Sequence, residues 1–301
     1  ADSALSPYPP AVTLSIFRAL AAGISACAVL ARSAGAALVV VDVGCDGDLA
    51  DVAGAAPHIT VRHSKVARGT QDFRQQPAMD EEALAAALSA GQETLTAEAA
   101  RGVRVICVGE VGIGNTTSAA ALLAALTGAD PAECCGRGTG LDDGGLAHKT
   151  AVVREALDLH SHAHVPKGDH APDQMQQQAR EALRCLGGLE IAAMVGAYMQ
   201  AEREGVVVVV DGSISAVAAL CASRMHPPCR RNMVFASALA EEPLAARGGE
   251  ILEESLAAKP ALQMRLRLGE GSAAALALPM LRAAAAIVRD MGTLDQALAL
   301  G

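Results

Sequence analysis

The chain has 301 residues, of which 51% are hydrophobic and 2% aromatic, and its formal net charge is −9. This length is enough for one large domain, or for one domain with a smaller lobe. The negative charge, and the lack of a Lys/Arg cluster interleaved with aromatic residues, argue against a nucleic-acid partner. A phosphate group would have to be held locally, by backbone N–H groups and one or two cationic side chains.

Eight cysteines are scattered along the chain and form no CxxC pair. This usage predicts reduced thiols and a cytoplasmic enzyme. The N-terminal segment lacks a basic stretch followed by an apolar one, so we expect no secretory signal. The longest apolar runs, 272–281 and 283–288, are separated by Arg282 and fall short of the roughly 20 residues that a spanning helix needs. We therefore expect no membrane partner.

Short β-branched runs alternate with Ala/Leu-rich stretches. The predicted strands are 36–43, 103–108, 206–210 and 232–236, with 264–268 as a weaker candidate. The predicted helices include 14–33, 81–101, 116–127, 146–159, 187–202 and 273–288. Continuous apolar runs are typical of strands buried on both faces. The alternation predicts an α/β fold with a doubly wound, Rossmann-like parallel sheet.

The segment 160–180 is polar and holds four of the eight histidines, His160, His162, His164 and His170. A histidine cluster can bind a metal ion, but this spacing matches no closed site and no carboxylate triad accompanies it. The pattern favours a solvated loop inserted in the large domain, so we expect no metal site here.

Acidic and glycine residues follow the predicted strands. The first predicted strand carries Asp42 and ends at Gly44; Gly109-Glu110 follows the second, Asp211-Gly212 the third and Gly269-Glu270 the candidate strand 264–268. Open α/β sheets bind their ligands outside the carboxyl ends of the strands. These positions are therefore candidates for a functional site.

The segment 109–118 (GEVGIGNTTS) follows a strand and opens a helix. Glycines allow a close approach of the backbone, and a helix N-terminus offers free N–H groups, so the segment predicts a phosphate cradle. It lacks the Lys-Ser/Thr pair of a P-loop and is not a dinucleotide fingerprint. A tight turn with Asn115, Thr116 or Thr117 as the helix cap remains an alternative.

The segment 136–143 (GRGTGLDD) is followed by Lys149. Its three glycines could form a backbone nest for an anion, to which Lys149 would add a positive charge. The pair Asp142-Asp143 does not end an apolar strand and stands where a helix begins, so capping is a simpler interpretation than magnesium binding.

In the segment 267–272 (RLGEGS), a glutamate stands between two glycines, after a candidate strand and before an apolar helix. Low-dielectric walls on both sides would raise the pKa of Glu270 and make the carboxylate a better general base. An ordinary capping glutamate in the first turn of a helix fits the same spacing, and the spacing alone leaves both interpretations open.

Five segments in order, GEVGIGNTTSAAALLAALTG, GRGTGLDD…HKTAVV, GGLEIAAMVGAY, VVVVVDGSIS and RLRLGEGSAAALALPMLRAAAAI, together resemble the nicotinate-nucleotide–dimethylbenzimidazole phosphoribosyltransferase (CobT) family. The resemblance runs from about residue 12 to 295. It implies transfer of ribose phosphate from nicotinate mononucleotide to 5,6-dimethylbenzimidazole or a related base. The products would be α-ribazole 5′-phosphate and nicotinate, as needed for the lower ligand of cobalamin.

The resemblance also implies the site residues. Glu270 would be the general base, and Glu110 matches a second glutamate near the site. The phosphate and nucleotide positions would be Gly112, Gly114, Asn115, Thr116, Gly138, Thr139, Gly140, Lys149 and Asp211, with Leu268 and Ser15 beside the base. Nicotinate leaves from a pyridinium that carries its own positive charge, so we expect no cofactor and no metal. The family is typically homodimeric.

The sequence departs from the family in two places. At 9–16 the family usually has polar residues that line the base pocket, where Leu14 and Ser15 stand here; at 235–243 it usually has a His/Ser stretch, where Leu239 stands here. Family chains begin further upstream, so part of the small lobe is expected to be missing from this sequence.

A nucleotide-binding homologue without turnover, or a partner subunit, is the alternative function. A dehydrogenase is disfavoured because no G-x-G-x-x-G motif follows the first strand.

For the domains, we expect a large α/β domain over 34–268. A small helical lobe would be built from both chain ends, 1–33 and 269–301.

Overall fold

The structure is a computed structural model that describes residue 6 and residues 8–163, 172–241, 246–266 and 268–300. Its strands are β1 (Leu38–Asp42), β2 (Ile59–His63), β3 (Val105–Val108), β4 (Val207–Val210) and β5 (Met233–Phe235). Its helices are α1 (Val12–Ala21), α2 (Ala26–Ser33), α3 (Glu81–Ala100), α4 (Asn115–Thr127), α5 (Pro131–Cys134), α6 (Asp143–Leu159), α7 (Pro172–Leu186), α8 (Leu189–Arg203), α9 (Ser213–Met225), α10 (Ala246–Leu256), α11 (Ser272–Asp290) and α12 (Leu294–Leu298). Short 3₁₀ turns cover Ser161–Ala163, Pro227–Asn232 and Leu239–Glu241.

All described strand pairs are parallel, which confirms the predicted α/β class. The strands form two sheets, one of β1 and β2 and one in the order β3-β4-β5. Val105 pairs with Val207, and Val208 pairs with Met233, so the strands of the larger sheet end close together at one edge. That common edge is where ligands bind in open parallel sheets.

Two predicted elements near the chain ends differ from the structure. The predicted helix 14–33 is two helices, because Gly23 adopts a left-handed φ of 76° and Ser25 caps the start of α2 by accepting from the backbone N–H of Ala28. The predicted strand 264–268 is irregular, since Arg265 has φ 51° and Met264 is 57% exposed. The backbone instead pairs with the segment after β5 two residues earlier, at Leu262.

The predicted loop 160–180 is wrong over its second half, where α7 begins at Pro172. One face of α7 is buried in the core through Ala179, Ala182, Leu183 and Leu186, while Gln174 and Gln177 are exposed. His164 and His170 lie outside the described residues, whereas His160 is buried.

Three hydrophobic clusters organise the interior. The largest surrounds the β3–β5 sheet with α3, α4 and α6 to α10. A second cluster packs α1 and α2 on the β1–β2 sheet through Phe17, Leu20 and Ile59. In the third, Ala274 and Ala277 of α11 pack on Val209 of β4. The helices α2 and α11 also pack against each other, and Arg282 donates to the Ala34 carbonyl. The boundaries of the two lobes remain a prediction.

Two helical segments, Val12–Ser33 and Ser272–Asp290, have the length and composition of a membrane span, with mean hydropathies of 1.9 and 1.4. This corrects the expectation that no stretch is long enough. The first segment is interrupted between α1 and α2, and both segments contribute side chains to the clusters above. Because core helices of soluble proteins have the same character, this is weak evidence for a membrane location.

The helices α3 and α8 pack at backbone contact. A Cβ placed on Gly91 would lie 1.8 Å from the Ala193 carbonyl oxygen, and one on Gly196 would lie 2.0 Å from the Leu88 carbonyl oxygen. These two glycines therefore set the spacing between the two helices.

We predict that Gly196→Ala destabilises the protein by about 1–3 kcal/mol, because the helices must separate to admit a methyl group. The measurement is the denaturant midpoint of unfolding. Gly144→Ala is the matched control, since its nearest neighbour would be the Asp142 carboxylate at 3.6 Å; it should be neutral or stabilising by up to about 1 kcal/mol. Equal effects of the two substitutions would contradict the packing argument.

Candidate active site

The end of β3 meets the loop that precedes α11. Gly109 follows β3 directly, and a Cβ placed on it would lie 2.1 Å from the backbone nitrogen of Gly271 and 2.6 Å from the carbonyl carbon of Glu270. No residue with a side chain fits at this position without moving the loop. Gly109 thus allows the loop 269–271 to lie on the edge of the sheet.

The loop holds Glu270 in an uncommon backbone conformation. Its φ is 62°, between Gly269 with φ 68° and Gly271 with φ 90°. A non-glycine residue in this region is sterically disfavoured and persists where the surrounding structure fixes it. Glu270 does not cap α11, whose N-cap residue is Gly271 without a side-chain cap bond. This removes the simpler interpretation that the spacing had left open.

The Glu270 carboxylate is partly buried against the start of α2. The backbone N–H of Cys27 and the hydroxyl of Ser25 donate hydrogen bonds to it. Burial raises the pKa of Glu270 above its ordinary value, and these two hydrogen bonds oppose the rise. Its Oε2 atom is buried and has no hydrogen-bond partner among the described residues. The carboxylate therefore keeps a free acceptor in a low-dielectric setting.

Asp211 anchors this loop from the neighbouring strand. It follows β4, it is buried, and its Oδ2 accepts from Gly271 N at 3.1 Å while its Oδ1 accepts from Ala274 N at 2.9 Å. The carboxylate thus caps α11 in place of a local side chain. Burial raises the pKa of Asp211, and the backbone hydrogen bonds oppose the rise. Asp211, which the sequence predicted to lie at the nucleotide, is thus hydrogen-bonded to the backbone of this loop and of α11.

Glu110, Asn115 and Glu190 form a second group beside the loop. A Cβ on Gly269 would lie 3.8 Å from Glu110 Oε1, and Asn115 Nδ2 donates to Glu110 Oε2. The Asn115 side chain also donates to Glu190, a carboxylate whose pKa is raised by burial. Sequence reasoning missed Glu190, although it stands in the quoted segment GGLEIAAMVGAY at the start of α8.

Lys149 lies at the other side of this group, on α6. Its ammonium is fully buried and donates to Thr116 Oγ1 at 2.9 Å and to the Gly136 carbonyl at 3.1 Å. Burial lowers the pKa of Lys149 to about 8. A Cβ on Gly138 would lie 2.9 Å from Thr116 Oγ1 and 3.6 Å from Lys149 Nζ, so the absence of a side chain lets this backbone approach the ammonium closely. Lys149, Thr116 and the backbone at 136–138 are therefore the candidate anion cradle, and this role stays a prediction.

The N-terminus of α4 points into the same region. Its N-cap is Gly114, with φ 93° and no side-chain cap, so the alternative of a cap by Asn115, Thr116 or Thr117 does not hold. Upstream, Ile113 N donates to Thr13 Oγ1 of α1, and Gly112 lies against the Asn115 side chain. In this first turn, Asn115 N donates to the Gly112 carbonyl at 3.1 Å and Thr117 N to the Gly114 carbonyl at 3.0 Å. The attraction that the turn offers to a phosphate therefore comes mainly from the positive end of the α4 dipole.

Other predicted residues lie further out. Thr139 and Gly140 are exposed, and the hydroxyls of Thr139 and Ser6 are 3.3 Å apart. Leu268 is 58% exposed, and Ser15 is exposed on α1. Among the described residues, none of these four appears as a hydrogen-bond partner of Glu270 or Lys149.

Two expectations about local structure are settled. Asp142 accepts from Gly145 N at 2.8 Å, which confirms that it caps α6. Leu239 is buried in the largest core cluster against α10. The leucine at the departure from the family pattern therefore serves packing.

Unpartnered polar atoms gather at the sheet edge. Among the described residues, buried side-chain atoms without a hydrogen-bond partner include those of Thr117, Ser213, Glu270 and Ser272. Thr117 lies in the first turn of α4, which follows β3, and Ser213 begins α9, which follows β4. Glu270 and Ser272 stand on either side of the N-cap of α11, which packs on β4. Buried polar groups are almost always paired in native proteins, so this clustering points to a polar ligand.

A parallel sheet with an anion cradle and a basic carboxylate at one edge is an arrangement suited to group transfer from a phosphorylated substrate. In agreement with that class, a family model described as phosphoribosyltransferase matches residues 1–298.

Similarity to named proteins and to a solved structure identifies the particular phosphoribosyltransferase family. A Pseudomonas aeruginosa protein named nicotinate-nucleotide–dimethylbenzimidazole phosphoribosyltransferase is 45% identical over 293 residues, which are 97% of this chain and 77% of that protein. An Azotobacter vinelandii protein of the same name is 42% identical, over 99% of this chain and 78% of its own length. The crystal structure of CobT from Thermus thermophilus has a TM-score of 0.84 at 35% identity, over 97% of this chain and 80% of that one. The chain belongs to this phosphoribosyltransferase family.

We predict that Asp211→Asn lowers turnover by about 10- to 100-fold with a smaller change in KM. The new amide places a donor against the N–H of Gly271 or Ala274, which loosens the loop that holds Glu270. Steady-state kinetics of kcat and KM, with hydrogen exchange at 269–274, measures this.

Glu98→Gln serves as the control, because Glu98 is a buried carboxylate of α3 paired with Arg62 and Arg101. It should lose stability and keep kcat. If Asp211→Asn also lost only stability, Asp211 would have no positioning role.

Proposed function

We propose that the chain transfers ribose 5-phosphate from nicotinate mononucleotide to 5,6-dimethylbenzimidazole or a related base, giving α-ribazole 5′-phosphate and nicotinate. It is thus a pentosyltransferase of cobalamin lower-ligand synthesis. The observation that carries the proposal is a continuous series of contacts. It runs from the Glu270 loop through Glu110 and Asn115 to Thr116 and Lys149. A base and an anion cradle on one edge match a substrate with a reacting sugar and a phosphate.

In the proposed mechanism, Lys149 and the N-terminus of α4 hold the phosphate. The Glu270 carboxylate takes the N–H proton of the benzimidazole. The freed nitrogen lone pair attacks the anomeric carbon from the face opposite nicotinate, so the β-nucleotide becomes an α-nucleotide. The bond from that carbon to the pyridinium nitrogen breaks, and its electron pair stays on nicotinate.

The leaving group needs little help, because the departing electrons neutralise the pyridinium charge. Most of the rate enhancement then comes from holding the base and the sugar in line. General-base assistance by Glu270 contributes about 10²–10⁴-fold. The partial burial of Glu270 supports this role, since a raised pKa brings a carboxylate closer to neutral pH and makes it more basic.

The proposal extends to assembly and location. We infer a homodimer in the cytoplasm with no nucleic-acid partner. The net charge of −9 supports the last point. Exposed apolar side chains on α11 and α12 and between them, including Val288, Met291 and Leu294, support a surface that a second copy covers.

We predict that Glu270→Gln lowers kcat by about 10²–10⁴-fold, since the amide cannot accept the proton. Binding of nicotinate mononucleotide should stay within a few-fold of wild type. In the wild type, activity should fall as the pH drops through a pKa above the ordinary glutamate value, because the base must be ionised. The assay is product detection by mass spectrometry over a pH series, with a panel of benzimidazoles, purines and phenols.

Glu82→Gln, an exposed residue of α3, is the control and should behave as wild type. Turnover of Glu270→Gln at the wild-type rate would remove Glu270 as the base. Binding of the mononucleotide without product from any base would favour the alternative function, a nucleotide-binding homologue without turnover.

We predict that Lys149→Met raises the KM for nicotinate mononucleotide by about 10- to 100-fold, the worth of a charged hydrogen bond. The free protein should not become less stable at pH 7, because a buried ammonium is removed. In the wild type, this ammonium costs stability below pH about 8 and the cost is relieved as the pH rises toward 10.5. The buried thiols, whose pKa values are raised by burial, lower the stability of both proteins over the same pH range. The test is therefore the difference in unfolding free energy between Lys149→Met and the wild type, which urea unfolding should show to shrink between neutral pH and a pH near 10.5.

The exposed Lys259→Met is the control for the loss of one positive charge. If it raised KM as much as Lys149→Met, the effect would belong to the overall field of the protein.

A further inference from the structure

A cluster of metal-ligating side chains lies outside the candidate active site. His160 follows the end of α6, His162 lies in the next 3₁₀ turn, and Cys185 lies near the end of α7. One ligand atom from each of the three lies within 4.8 Å of the others. Glu181 stands one helical turn before Cys185, on the same face of α7.

We propose that His160, His162, Glu181 and Cys185, named here the His–Cys site, bind one Zn²⁺ ion. Imidazole nitrogens, a thiolate and a carboxylate oxygen are the ligands that zinc takes in proteins, and four protein ligands make a closed, structural site. The proposal is independent of the proposed transferase activity.

The distances among three of the four side chains are close to those of a zinc site. His162 Nε2 lies 3.2 Å from Glu181 Oε1 and 4.0 Å from Cys185 Sγ, and Sγ lies 3.4 Å from the same Oε1. Tetrahedral zinc with bonds of about 2.1 Å to N and O and about 2.3 Å to S sets its ligand atoms about 3.4–3.6 Å apart.

The fourth side chain, His160, is already oriented. Its Nε2 lies 2.9 Å from the Phe73 carbonyl oxygen, which can only accept, so Nε2 carries the proton. Nδ1 is then the unprotonated nitrogen with a free lone pair. A metal-binding histidine almost always donates its other N–H to a carbonyl or carboxylate in this way, which fixes the ring.

Arg184 balances the charge of the site. It donates from Nε to Glu181 Oε2 at 2.8 Å and from Nη2 to Oε1 at 2.6 Å. With the ion bound, Oε2 keeps Arg184 as an outer partner while Oε1 turns to the metal. Burial raises the pKa of the Cys185 thiol to about 12, so the incoming ion displaces a proton that is released to solvent.

The ion would join an exposed turn to a buried helix. His162 is largely exposed, with its side chain 60% accessible, while Cys185 is buried in α7. A bound ion fixes the turn Ser161–Ala163 on α7 and stabilises the folded chain by mass action. Its role is therefore structural.

The test uses Co²⁺ as a spectroscopic probe on the full chain after treatment with a chelator. We expect one Co²⁺ per chain, with the intense visible bands of a tetrahedral site and a thiolate-to-cobalt charge-transfer band, both removed by one equivalent of Zn²⁺. Zn²⁺ should also raise the Tm. His162→Gln, at an exposed position, and Cys185→Ser should each lose at least tenfold in affinity, and Cys185→Ser should lose the charge-transfer band.

The matched controls are His226→Gln and Cys45→Ser. His226 pairs with Glu202 at 3.2 Å, as His162 does with Glu181, but belongs to no such cluster among the described residues. Both controls should bind Co²⁺ as the wild type does. Substoichiometric binding in the wild type, or unchanged affinity and spectra in His162→Gln, would overturn the proposal even if Cys185→Ser failed to fold.

Discussion

A buried carboxylate on the start of a helix sets the geometry of the candidate site. Asp211 reaches across 60 residues of sequence to accept from Gly271, and it also accepts from Ala274. Removing a carboxylate from water is costly, so this contact persists only because the N–H groups and the dipole of α11 compensate it. Because Gly109 has no side chain, the loop 269–271 can lie directly against the end of β3. The left-handed backbone of Glu270 follows from these two constraints.

The same sheet edge concentrates acidic groups in a chain that is already negative. Burial raises the pKa of Glu190, Asp211 and Glu270 alike. The opposing charges are local: backbone N–H groups at helix starts, and Lys149 with its pKa lowered by burial. The site thus has an acidic side and a cationic side. A substrate with a pyridinium at one end and a phosphate at the other complements this polarity, which is the electrostatic argument for the proposed reaction.

The predictability of each element follows from its burial. The apolar runs at 103–108, 206–210 and 232–236 form the larger sheet, and their apolar character identified them. The strand β2 (Ile59–His63) was missed because it carries Arg62 and His63 at an edge. The alternation of apolar and basic residues in 264–268 is typical of a strand, but the positive φ of Arg265 is incompatible with a strand conformation at that residue. The helix α7 was hidden in a polar segment because its first two turns are rich in glutamine.

The candidate functional residues differ in the same way in how far the sequence predicts them. Glu270 and Lys149 stand in short motifs, so local spacing and family likeness were enough to predict them, and their roles stay a prediction. The contact of Asp211 with the α11 backbone leaves no local signal, because its partners are backbone atoms far along the chain. His160 and Cys185 likewise gain meaning only when α7 packs beside the turn after α6. A histidine-rich loop alone favours solvation, whereas a thiol that folding places beside two imidazoles changes the chemistry available to them.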